Sequence, residues 1–138
     1  AHFLAATRMH MDTHDVKAVG GALDCAIEAD PDEPAYQFLR AIVCLKEGEF
    51  KQADALFEHG LLHEESPFRR AQLLLWASRA ADQLKETEKA SMLRSELLIV
   101  RHPHVGEYQS AAAREQKRRY PRSKFARIVL NFTMAEAM

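Results

Sequence analysis

The sequence predicts an all-α protein: a right-handed superhelical solenoid of antiparallel helix pairs, about eight helices in 138 residues. Three observations lead there. Ala and Leu are abundant while the strand formers Thr and Tyr are sparse, so helix is the favoured local state. The five Gly and five Pro fall at wide intervals and punctuate helices rather than crowding into turns. One pattern of small and aromatic residues also recurs along the chain, which marks a repeat architecture.

The pattern is clearest from Pro34 to Pro67. Ala41 is a small contact in mid-helix. Gly48 ends that helix, because Gly takes a left-handed cap most cheaply. Phe50 follows in the turn. Ala53 is the small contact early in the next helix, with Phe57 one turn on and Gly60–Leu61 another turn beyond. Downstream, Ser78, Ala81, Lys85, Ala90, Leu97–Leu98 and Pro103 repeat these offsets, Ala90 lying 37 residues after Ala53. Upstream, Leu23, Ala26–Ile27 and Pro31 close an earlier unit that Phe3 and Ala6 open. A poorer unit with Tyr108 and Ala111–Ala112 follows Pro103 and breaks at Tyr120-Pro121, where proline stops a helix.

The helices are expected near residues 2–11, 15–29, 34–47, 50–63, 67–84, 87–101, 105–119 and 122–135. Asp12 or Thr13, Asp32 and Ser66 are the N-cap candidates for the second, third and fifth. The domain expectation is a single unit over 1–138, made of pairs at about 1–33, 34–67 and 71–104 and a degenerate C-terminal pair at 105–136. One helix pair cannot bury its own apolar stripe, so neighbours must stack.

These residues resemble the tetratricopeptide repeat family. AIEADPDEP followed by a helix and then LKEGEFKQADALFEHGL is similar to the family's Gly-aromatic-x-x-Ala-x-x-x-aromatic-x-x-small-Leu signature. The resemblance covers roughly residues 1–104. The departures are Gln37 and Arg40, where the family has Trp and Leu, with Tyr36 and Leu39 beside them, and a closing Pro displaced to Pro67. The resemblance implies a protein–protein interaction module, a scaffold, adaptor or chaperone-like domain, that binds a peptide or helix in a concave groove. The first helix of each pair would line it: Leu4, Arg8 and Met11, then Phe38, Ile42 and Leu45, then Leu75, Arg79 and Asp82. Such a groove is largely apolar and lacks the Lys and Asn of the family's carboxylate clamp. An apolar stripe at Phe125, Ile128, Val129 and Phe132 must also bury against something, either this groove or a neighbour. Trp76 is expected between helices.

Composition is that of a folded chain: 47% hydrophobic and 28% charged residues exclude disorder. No apolar run approaches the ~20 residues of a membrane helix. The start, AHFLAATRMHM, lacks the basic and continuous apolar regions of a signal peptide. A cytoplasmic protein is expected, and the abrupt ends suggest a domain excised from a longer one, such as the regulatory domain of an enzyme or transcription regulator. Cys25 and Cys44 are expected as small buried side chains on apolar helix faces.

Charge is divided. Residues 1–67 carry 13 acids and 5 bases; residues 68–138 carry 7 acids and 14 bases. Opposite halves can steer a partner or favour head-to-tail self-association. The basic run Arg114, Lys117, Arg118, Arg119, Arg122, Lys124 and Arg127, interleaved with Tyr120 and Phe125 and carrying only Glu115 as an acid, could track a phosphate backbone or meet an acidic partner. The bland reading is a solvated helix face, so nucleic acid is the lesser expectation.

No Gly-rich phosphate loop, Gly-x-Ser-x-Gly elbow or Cys-x-x-Cys is present, so no catalysis and no cofactor are expected. His59 and His63, like His10 and His14, are spaced to share a helix face, but no third metal ligand is identifiable and no metal is expected. His102 and His104 suit a helix C-terminus.

Overall fold

The computed structural model describes residues 16–122, and these form helices joined by turns and loops. Six helices run in order: α1 Val16–Ala29, α2 Pro34–Lys46, α3 Phe50–His63, α4 Pro67–Gln83, α5 Thr87–Leu98 and α6 Gly106–Arg119. They coincide with six of the eight expected segments. The other two, with Asp12, Thr13 and the Phe125–Phe132 stripe, lie outside the described residues. The chain divides into two compact units, one through Leu62 and one from His63. The break falls just ahead of the proline expected to open a new helix pair.

Proline opens both α2 and α4, where its missing N–H is no loss. The N-cap of α2 is Glu33 rather than Asp32: its Oε1 accepts from the Ala35 N–H at 3.3 Å. Ser66 does precede α4 but makes no side-chain cap bond. Its own N–H is instead turned to Glu64 Oε1, 3.1 Å away. α5 ends earlier than expected, at Leu98. The Gln109 side-chain amide reaches the carbonyls there, 3.2 Å from Leu97 O, 3.3 Å from Leu98 O and 2.9 Å from Val100 O. Orphan C-terminal carbonyls thus find a donor on α6.

The recurrence read from the sequence extends to backbone geometry. After α2, Glu47, Gly48 and Glu49 donate to Val43, Leu45 and Cys44. After α4, Leu84, Lys85 and Glu86 donate to Ala80, Asp82 and Ala81. Each bond recurs 37 residues on. Gly48 takes φ +85° and its counterpart Lys85 takes φ 63°. A left-handed residue costs ~1–2 kcal/mol unless it is Gly. Lys85→Gly regains that, less ~0.4–1 kcal/mol of added chain entropy. A net gain of up to about 1 kcal/mol is therefore expected from Lys85→Gly, while Gly48→Ala should lose about 1 kcal/mol. Urea unfolding of the two variants checks both signs.

In the first unit the core comprises Val19, Leu23, Leu39, Ala41, Ile42, Val43, Cys44, Ala53 and Phe57, with Phe57 fully buried and edge-on to Phe38 at 6.3 Å between ring centroids. α1 packs on α2, and Arg40, one of the departures from the repeat signature, reaches Asp24 at 3.4 Å. In the second unit α4 packs on both α5 and α6, and α5 on α6. Its apolar core runs through Ala71, Leu73–Leu75, Ala77, Ala80, Ala81, Ala90, Leu97, Leu98, Val105, Ala112 and Ala113. Small residues at the repeat positions let the helix backbones come close.

The cysteines differ from expectation in one respect. Cys44 is buried, but Cys25 is exposed. Cys25 lies on the outward side of α1, whose buried positions are Val19 and Leu23. Burial pushes the Cys44 thiol above its ordinary 9.0, aided by Glu47, Glu49 and Asp24 and opposed by Arg40. A raised thiol pKa stabilises the fold fully below the unfolded value and is lost as pH climbs through the folded one. Maleimide at neutral pH should therefore label one thiol quickly, at Cys25, and reach Cys44 only through unfolding. Cys44→Ala should blunt the loss of stability above pH ~9.

Candidate functional site

The described groove residues divide between surface and interior. Phe38, Leu45 and Arg79 are half-buried, while Ile42, Leu75 and Asp82 are interior. Ile42 is 5% exposed, Leu75 3% and Asp82 1%, which leaves them no surface for a partner to touch. Leu4, Arg8 and Met11 lie outside the described residues. The physical reason is register: in α4 nearly every position from Leu73 to Asp82 is buried, because this helix packs on two others.

What α4 does present is a stripe one residue over: Phe68, Gln72, Trp76 and Arg79, all half-buried. It pairs with α6. Gln72 Nε2 donates to Tyr108 Oη at 2.8 Å, and Arg79 donates from Nε and Nη2 to the two Glu115 oxygens at 2.8 and 2.9 Å. Both pairs span 36 residues. A constant separation means that α4 and α6 run parallel, since antiparallel partners would shorten it steadily. The Arg79 guanidinium also lies 4.6 Å from the Trp76 ring centre, a cation–π contact. Phe68 packs edge-on to Tyr108 at 5.8 Å and tilted to His102 at 5.6 Å. Trp76 is thus half exposed under a cation rather than enclosed between helices.

The basic run is sorted by the same packing. Arg114, Lys117, Arg118 and Arg122 are exposed. Arg119 instead turns its Nε to Asp82, 3.2 Å away. Glu115, the one acid of the run, is occupied by Arg79. The outer side of α6 is left uniformly positive among the described residues. Lys124 and Arg127 lie beyond them. His59 and His63 are exposed on α3. No group of three or more His, Cys, Asp or Glu side chains suited to a metal ion occurs among the described residues, and no helix among them is long and apolar enough to cross a membrane.

Beneath this surface lies a feature the sequence reading passed over. Arg94 is 0% exposed and is the largest fully buried side chain. It clasps Asp82 through both terminal nitrogens, with Nη1 3.2 Å from Oδ1 and Nη2 on Oδ2. Nη1 also donates to Gln116 Oε1 at 2.9 Å, and Gln116 Nε2 to Ser91 Oγ at 2.7 Å. Tyr120 Oη donates to Asp82 Oδ1 at 3.1 Å. Four segments of the chain therefore converge on one buried carboxylate. A signal was available: Ala90, Leu97 and Leu98 flank Arg94 at helical spacing, which puts the arginine on the apolar face of α5.

Leu62 and Ile99 are exposed at 81% and 75% and stand 37 residues apart, at matching positions in the recurrence. Single exposed apolar residues are ordinary.

No family model matches the chain, and no curated protein matches it. The functional reading therefore rests on the residues and their geometry.

Proposed function

We propose that the chain is a protein-interaction module built from tetratricopeptide-like helix pairs, and that its binding element is the face shared by α4 and α6. The observation that carries the reading is the parallel pairing of these helices through Gln72–Tyr108 and Arg79–Glu115, both spanning 36 residues. Parallel first helices of successive pairs are what a stack of such pairs requires. The recurrence of the left-handed turn at Gly48 and Lys85 supports the same reading.

The face offers half-buried Phe68, Trp76 and Tyr108 beside Arg79. Aromatic anchors with an arginine are the usual high-yield contacts of an interface. The fitting partner is a peptide or short helix with apolar side chains and acidic groups. A displayed peptide library panned on the full chain should enrich such sequences, and Trp76→Ala should weaken their binding at least tenfold with helicity intact. No enrichment, or binding indifferent to Trp76, sinks the reading.

A second reading, binding of a nucleic acid along Arg114, Lys117, Arg118 and Arg122, is favoured by their common exposure once Glu115 and Arg119 are occupied. It demands affinity that falls steeply with salt.

A further inference from the structure

The recurrence places Phe57 and Arg94 at the same position, one turn after Ala53 and Ala90, and both are 0% exposed. An aromatic in the first unit is answered by a charge in the second. A buried guanidinium must be stripped of water, and its attraction to a carboxylate repays that only with good geometry and every proton satisfied. Here Arg94 Nε has no hydrogen-bond partner among the described residues. A phenyl ring in the same slot would carry no such debt.

The compensation is visible in α6. Its buried residues are Gln109, Ala112, Ala113 and Gln116. None is a large apolar side chain. Two alanines give a smooth face, and smooth faces define axial position poorly, because a slip of one turn loses little packing. The polar contacts do define it. Gln109 meets the end of α5, Gln116 meets Arg94 and Ser91, and Arg119 and Tyr120 meet Asp82. Each has its partner in one register only.

We infer that the Asp82–Arg94 pair is a register lock: it fixes where α6 docks on α4 and α5, at a cost in stability relative to an apolar pair. It thereby also fixes the alignment of Tyr108 and Glu115 with Gln72 and Arg79 on the surface above. The inference concerns the packing of α6 and stands whether or not that surface binds a peptide. Buried polar groups serve this purpose in helical assemblies, where they select one alignment among several of similar apolar content.

The test compares the full-length chain with Asp82→Leu/Arg94→Phe, which restores the aromatic of the first unit. Spin labels go on cysteines at Gln83 and Lys117, both exposed, in a Cys25→Ser background. The unsubstituted network should give one narrow distance. The double variant should match or exceed its urea midpoint while the distance broadens or splits, by ~5 Å for a slip of one turn. Gln116→Leu, which leaves the ion pair in place, should broaden the same distance. The lock is overturned if the double variant keeps the single narrow distance. It is equally overturned if that variant has a lower midpoint or fails to fold, since the network would then supply stability. An unchanged distance in Gln116→Leu also counts against it.

Discussion

Asp82→Ala is expected to destabilise the second unit by about 3–5 kcal/mol, the cost of leaving one partner of a buried ion pair alone. The variant strands Arg94, which is 0% exposed, and takes the acceptor from Arg119 and Tyr120 as well. Arg94→Met should cost less. It removes the charge that has no other counterion, while Asp82 keeps two donors from the end of α6. The order is the informative part: if Arg94 were the structural hub, Arg94→Met would be the worse of the two. Trp76 is the single tryptophan and sits on α4 against Arg79. Its fluorescence in a urea titration therefore reports on this unit.

Phe57→Ala should cost the first unit about 3–5 kcal/mol through lost transfer energy and the cavity left behind. Phe57 is fully buried and touches the Phe38 ring edge-on. Cys44, buried in the same unit, supplies the readout. When opening is fast relative to labelling, each ~1.4 kcal/mol raises the labelling rate tenfold. A rise of roughly 10²–10³-fold is expected at Cys44, with Cys25 unchanged because it is exposed already. Equal acceleration at both thiols would mean that Cys25 is protected too, and that the exposure assigned to it is wrong.

These two positions also show what was legible. Ala53 and Phe57 were readable as core because residue type, spacing and the recurrence all agreed. So were Gly48 and the six helix spans, since Gly and Pro act locally through φ and the missing N–H. Lys85 was legible only by analogy with Gly48; nothing in lysine itself signals a φ of 63°. The groove was half legible. The sequence placed Arg79 and Leu75 on one stripe of α4, and packing against both α5 and α6 then buried Leu75 and turned Arg79 to Glu115. A stripe one residue away carries the exposed aromatics. Such a small rotation cannot be read from a helix that is apolar around most of its circumference.

The sequence by itself determined the local layer of this protein: which spans are helical, where they stop, and that one turn recurs at a fixed distance. Those properties follow from interactions between near neighbours in the chain. The tertiary structure alone decided the destination of the charges. Arg94, Asp82, Gln116 and Tyr120 meet only because three helices cross at one point, and whether an arginine faces water or a buried carboxylate depends on residues far from it in the chain. In the basic run, the same crossing separates the bases that stay exposed from Arg119, which is used to close the fold.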